Sequence, residues 1–159
     1  MTPSETPAEA LEREHHEIDG GIGRFLACRR TGDDQAAPLV MAMAALRRHI
    51  YLEEEFLFPP LRAAGLFAPL FVMVREHGEI WNTMQTIDAE LGADAGGPSE
   101  ELCARLLTQL GQHNLKEEAV IYPQADSVLD AEASAKLRAF VASGEMPAGW
   151  VCERAAAGD

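Results

Sequence analysis

The chain has 159 residues, 47% of them hydrophobic, which suits one domain with a core large enough to fold without staples. Acidic residues outnumber basic ones 26 to 13, and the formal charge of −13 argues against a nucleic-acid partner and against an anionic membrane surface.

The elements are helical almost throughout. Residues 1–7 form a lead-in. Thr6-Pro7-Ala8-Glu9 then supplies an N-cap, a proline at the first helical position and a capping-box glutamate. Leu11, His15, Ile18, Ile22 and Phe25 recur at the spacing of a buried helix face, and the helix is expected to end near Arg30, before Thr31-Gly32-Asp33-Asp34. Gly20, Gly21 and Gly23 inside it each cost about 1 kcal/mol against alanine, which points to a close helix contact or a kink. A second helix opens near Pro38 with Leu39, Met43, Leu46, His49, Glu53 and Phe56 on one stripe, and Pro59-Pro60 is expected to end it. A third carries Leu70, Val74, His77, Trp81, Met84 and Leu91 and stops at the glycine-rich Gly92 to Gly97 segment. A fourth opens at Pro98-Ser99-Glu100-Glu101, carries Leu102, Leu106, Leu110, His113, Glu117 and Val120/Ile121, and is expected to close at Pro123. A shorter fifth spans Asp130 to about Val141. The tail from Glu145 holds Trp150 without periodicity. The fold class predicted is all-α: an up-down-up-down four-helix bundle over 8–125, followed by a short C-terminal helix and tail over 126–159.

Three features bear on compartment. Cys28, Cys103 and Cys152 are odd in number and lack Cys-x-x-Cys spacing, so they read as reduced thiols. Met1-Thr2-Pro3-Ser4-Glu5 has neither the basic nor the apolar part of a secretory signal. The longest apolar run, Leu66 to Val74, is too short to span a bilayer. A cytoplasmic protein, monomer or homodimer, is expected.

An internal repeat carries the chemistry. His49 is followed four residues later by Glu53 and ten later by Pro59, and His113 by Glu117 and Pro123 in the same way. Upstream stand Glu14-His15 with Ile18 and Glu76-His77 with Ile80. Positions i and i+4 share a helix face, so His49 and Glu53 point together, as do His113 and Glu117. These polar residues continue apolar stripes, and a buried glutamate costs several kcal/mol without a counter-charge. Arg47, Arg48 and Lys116 fall off that face, which leaves a pair of dications as the compensator. His15, His49, Glu53, His77, His113 and Glu117 are therefore the candidate metal ligands. In the simplest assignment His15 and His49 hold one metal, His77 and His113 the other, and Glu53 and Glu117 bridge both. Mixed imidazole and carboxylate ligation suits iron ahead of zinc or manganese, and leaves room for a bridging oxo, hydroxo or water and an added ligand.

Neighbouring residues take lesser roles. His16 is one step off the stripe and expected in solvent or behind a ligand. Glu54 and Glu118 are expected at or near the surface. Asp19, four after His15, is a candidate acceptor for a ring N–H. Met41, Met43, Met73 and Met84 are expected as core filler.

Glu14-His15 with Ile18, His49-x-x-x-Glu53-Glu54 with Phe58-Pro59, Glu76-His77 with Ile80, and His113-x-x-x-Glu117-Glu118 with Tyr122-Pro123 together resemble the hemerythrin-like, or HHE cation-binding, family. The resemblance covers about residues 8–125. It implies a four-helix bundle around a carboxylate-bridged di-iron centre, with the four histidines terminal and the two glutamates bridging. Oxygen-carrying hemerythrins add a histidine where this chain has Met73 or Trp81, and bridge from the fourth helix with an aspartate one residue later than Glu117. The expected function is accordingly a non-haem di-iron protein that binds O2, peroxide or NO, with peroxide- or NO-directed redox activity open to it. The alternative is a non-enzymatic oxygen or iron sensor, or an iron-holding module.

Overall fold

The computed structural model describes residues 5–32, 35–93 and 97–155. Most of the lead-in, Asp33-Asp34 of the first break, residues 94–96 of the glycine-rich connection and the last four residues of the tail lie outside them. The described residues form helices without strands: α1 (Pro7–Arg30), α2 (Ala37–Leu52), α3 (Phe58–Ala63), α4 (Phe67–Gly92), α5 (Glu100–Lys116), α6 (Tyr122–Val128) and α7 (Ala131–Ser143). None is long and apolar enough to cross a membrane.

Local chemistry sets the helix starts. The Thr6 hydroxyl accepts from the Glu9 N–H at 3.2 Å and the Glu9 carboxylate accepts from the Thr6 N–H at 2.9 Å, the reciprocal box read from sequence. Ser99 caps α5 and Asp130 caps α7 through their side chains.

The prolines do not end helices two and four, contrary to the reading from sequence. Between α2 and α3, and between α5 and α6, lies one π-helical turn, Glu53–Leu57 and Glu117–Ile121. The Phe58 N–H reaches back to the Glu53 carbonyl and the Tyr122 N–H to that of Glu117, each five residues away. A proline lacks an N–H and crowds the carbonyl four residues before it. The wider π-turn relieves both problems just ahead of Pro59 and Pro123. It also rotates the helix beyond it. Phe58 and Tyr122 become fully buried, whereas Phe56 is only partly covered and Val120 is exposed.

The rods α1, α2–α3, α4 and α5–α6 pack as an antiparallel square. Gly21 meets Ala42 across α1 and α2. Arg47 and Asp88 join α2 to α4 at 2.5 Å. His77 and His113 face each other across α4 and α5, with ring centroids 4.8 Å apart. Asp19 accepts from Asn114, and Asp126 from the Ala8 N–H, across α1 and α5–α6. Two apolar clusters fill the interior. One holds Ile18, Met43, Trp81 and Leu106, the other Leu11, Leu57, Val74 and Tyr122. The histidines and glutamates of the repeat form the layer between them.

The tail is ordered by packing instead of periodicity. Trp150 stands edge-on to Tyr51 and Trp81 at 5.1 and 5.6 Å, and Cys152 is buried in the first cluster. A Cβ on Gly78 would lie 2.7 Å from the Arg154 carbonyl oxygen, so only glycine lets the tail lie against α4 here. Cys28 is exposed and Cys103 buried, and all three cysteines are free thiols.

The α1 glycines divide. A Cβ on Gly21 would stand 3.0 Å from that of Ala42, while one on Gly23 would meet nothing within 4 Å. Close contact, not a kink, explains Gly21. Gly21→Leu is expected to destabilise the protein by about 1–3 kcal/mol through overpacking, and Gly23→Ala to stabilise it by up to about 1 kcal/mol. Urea unfolding midpoints of the two variants should move in opposite directions.

Candidate metal centre

All six side chains marked by the repeat converge. His15 comes from α1, His49 and Glu53 from α2 and its π-turn, His77 from α4, and His113 and Glu117 from α5 and its π-turn. Glu53, His77 and Glu117 are completely buried and the others nearly so. They form two clusters, His15–His49–Glu53–Glu117 and Glu53–His77–His113–Glu117, each with one candidate ligand atom per residue and all four atoms within 4.8 Å of one another. Glu53 and Glu117 belong to both. Glu53 Oε2 lies 3.5 Å from His49 Nε2, and Oε1 lies 3.2 Å from His77 Nε2. Glu117 Oε1 lies 3.2 Å from both His15 Nε2 and His113 Nε2, with Oε2 3.9 Å from His77 Nε2.

Each ring is held from behind by a carboxylate on a neighbouring helix. His15 Nδ1 meets Glu118 at 2.9 Å, His49 Nδ1 meets Glu14 at 2.8 Å, His77 Nδ1 meets Glu54 at 2.7 Å and His113 Nδ1 meets Glu76 at 2.9 Å. A carboxylate only accepts, so every Nδ1 carries the proton and every neutral ring turns its Nε2 lone pair into the cluster. Glu54 is largely buried by its contact, against the surface position expected of it, while Glu118 stays 34% exposed, near the surface as expected, and still reaches a ring. One step along a helix points away from the site on its own rod, but toward a ring on the adjacent rod. Asp19 does not serve His15; it accepts from Asn114 at 3.3 Å. His16 is exposed. Met41 is exposed as well, against the expectation of core filler, while Met43, Met73 and Met84 are buried. Met73 and Trp81 sit in the apolar clusters, bringing no imidazole to the centre.

The basic residues off the ligand face act one layer further out. Arg48 pairs with Glu14 at 3.1 Å and donates to the Gly144 and Val141 carbonyls and to that of Phe140 at the end of α7. Lys116 pairs with Glu76. Glu54, besides holding His77, accepts from the Glu153 N–H of the tail at 2.9 Å.

The electrostatics demand positive charge inside. Burial pushes the Glu53 carboxyl up, but the charges and hydrogen bonds of His49 and His77 hold it well below its ordinary range. Burial likewise lowers His113, yet the Glu117 charge and its hydrogen bonds, with Glu76 and Glu53, bring it up to about 10. His49 and His77 are raised by the same carboxylates against the same burial. Hydrogen bonding to His113 outweighs burial at Glu76 and takes it down to about 2, with Lys116 adding to the effect. A pocket that draws protons onto three imidazoles would favour a cation of higher charge even more.

Unpartnered atoms locate that demand. With the rings neutral, Glu53 Oε1, His77 Nε2, His113 Nε2 and Glu117 Oε2 are buried acceptors without a donor, and all belong to the second cluster. Four buried acceptors facing one another cost several kcal/mol unless a cation or proton joins them. A metal fits this donor set. In the first cluster the corresponding atoms surround the Tyr122 hydroxyl, which lies 2.7 Å from His15 Nε2, 2.7 Å from Glu53 Oε2, 3.2 Å from His49 Nε2 and 3.3 Å from Glu117 Oε1. In the sequence Tyr122 stands out only as the aromatic before a proline. Its five-residue spacing from Glu117 would have disclosed it had the π-turn been foreseen.

The outer carboxylates give a direct test. Glu14→Ala and Glu76→Ala are each expected to weaken metal binding about 10- to 100-fold by freeing the ring tautomer and orientation, with helix content unchanged. Competition with a chelator of known affinity measures this.

A family model described as Hemerythrin HHE cation binding domain matches residues 6–125. No curated protein and no solved structure matches the chain.

Proposed function

This chain belongs to the hemerythrin HHE cation-binding family, and from that premise we propose that it is a non-haem di-iron protein that binds O2, peroxide or NO at its metal centre. The observation that carries this reading is that Glu53 and Glu117 each face both clusters, so two cations bound there would share two carboxylates. His15 and His49 would complete one metal and His77 and His113 the other. Imidazole with carboxylate suits iron over metals that prefer all-oxygen or thiolate sites. An iron pair supplies two electrons within one pocket, the number needed to reduce a peroxide.

The protein's own residues set the limits on that chemistry. The outer carboxylates fix all four Nε2 atoms inward, so the site needs little rearrangement to take a metal. The apolar clusters on either side keep the centre buried from bulk water, which suits a small ligand. Redox turnover of peroxide or NO is part of the proposal.

The test begins with reduced, iron-loaded protein under anaerobic conditions and metal content verified by elemental analysis. O2, H2O2 and NO are then added separately while absorbance and consumption are followed. Catalytic loss of peroxide or NO supports turnover, and a stable reversible oxygenated spectrum supports binding alone. Failure to take up iron above trace would overturn the reading.

One observation favours a sensor as the second reading. The C-terminal segment, outside the family match, contacts the centre twice, through Glu153 to Glu54 and His77, and through α7 to Arg48, Glu14 and His49. A sensor would show changed hydrogen exchange over 144–155 when the iron is oxidised. Unchanged exchange there removes this reading.

A further inference from the structure

The two halves of the centre are built on one scaffold and differ by an oxygen atom. Five residues after each shared glutamate, beyond each π-turn, stands a buried ring: Phe58 after Glu53 and Tyr122 after Glu117. Each lies against a histidine of its half, Phe58 on His77 at 5.5 Å and Tyr122 on His15 at 5.3 Å. Phe58 brings no polar atom, and its half keeps the unpartnered acceptors. Tyr122 brings its hydroxyl to the middle of the other four. We propose that Tyr122 is a ligand of the metal in the His15–His49 half, so that the two metal positions are chemically unlike.

The hydrogen-bond count supports this. The hydroxyl has one proton and faces four atoms that, with the rings neutral and protonated at Nδ1 as a metal would require, are all acceptors. One proton serves one of them. A cation that met His15 Nε2, His49 Nε2 and the two carboxylates would satisfy them together, and the phenol oxygen already stands within hydrogen-bonding reach of all four. Binding replaces the O–H bond by an O–metal bond and releases the proton to solvent, with no change in electron count.

The assignment rests on the di-iron reading and is tested apart from it. Protein loaded with ferric iron is analysed for metal content and by resonance Raman spectroscopy in the visible. Coordinated tyrosinate gives phenolate ring modes and a phenolate-to-iron charge-transfer band. The expected result is that the native protein shows both and Tyr122→Phe loses both at equal iron content. The chain's other tyrosine, Tyr51, packs on Phe56, Phe140 and Trp150 away from the centre, so Tyr51→Phe should leave the signal intact. Full iron without phenolate modes, or modes that survive in Tyr122→Phe, would overturn the assignment alone. So would a gain of iron in Tyr122→Phe over the native protein, because the phenol would then be occupying a metal position. Native protein that takes up no iron overturns the di-iron reading and the assignment with it.

Discussion

Replacing Glu53 by alanine is expected to abolish two-metal binding, weakening retention by at least about 100-fold, because this one side chain faces both clusters. The loss should exceed that of any outer carboxylate, whose removal only loosens a ring. Glu117→Ala should behave alike, since its oxygens reach His15, His77 and His113. Glu53→Gln separates charge from shape: its amide keeps the volume but has no net charge and can turn N–H groups toward the imidazoles. It should fail to hold two metals nearly as completely as alanine does. Elemental analysis after desalting, beside far-ultraviolet circular dichroism to confirm the helices, reads the outcome. Full metal content in Glu53→Ala would show that the centre lies elsewhere.

The second large effect is on stability, where metal and proton substitute for each other. Metal bound only to the folded state, at about a thousand times its dissociation constant, adds about 4 kcal/mol, a shift in Tm on the order of 10 °C at this size. The metal-free protein should also lose stability as the pH rises. His113 is at about 10 when folded and 6.5 when not, so its contribution is fully present below 6.5 and lost as pH rises through about 10. His49 and His77 are raised too and act with the same sign. Between about pH 7 and about pH 9.5 the metal-free Tm should therefore fall as Glu53 and Glu117 lose their partners' charges. In the metal-bound form a cation replaces the proton at Nε2, and the fall should largely vanish. At the acid end the sign reverses. Glu76 is held down to about 2, so its stabilisation is present above its ordinary 4.5 and disappears as pH falls through about 2. Thermal melts of metal-free and metal-loaded protein across this range would show an equal high-pH decline in both if the pocket did not hold the cation.

Much of the bundle was legible because its signals are local. Capping at Thr6, Ser99 and Asp130 depends on residues three apart, and the stripes through His15, His49, His77 and His113 come from helical geometry alone. The convergence of the six repeat residues is settled once those stripes face one interior. The prolines misled for an instructive reason. Pro59 and Pro123 forbid an ordinary helical turn, and the sequence does not say whether the chain stops or widens. Burial of Phe58 and Tyr122 on the bundle interior decided for widening, since stopping would have left both rings and the helices beyond them without a core.

The repeat with which the chain announces itself placed four imidazoles and two carboxylates on inward faces, because spacing along one helix is fixed by its own geometry. Which carboxylate stands behind which ring, and whose hydroxyl enters the cluster, was decided only when four rods were set side by side. Glu54 and Glu118 point off the ligand stripe of their own helices, and Arg48 and Lys116 belong to solvent when each helix is drawn alone. Packing brings the first pair against His77 and His15, and the second against Glu14 and Glu76. Direction relative to a neighbouring helix depends on the distance and register between rods, and no single-helix periodicity contains either.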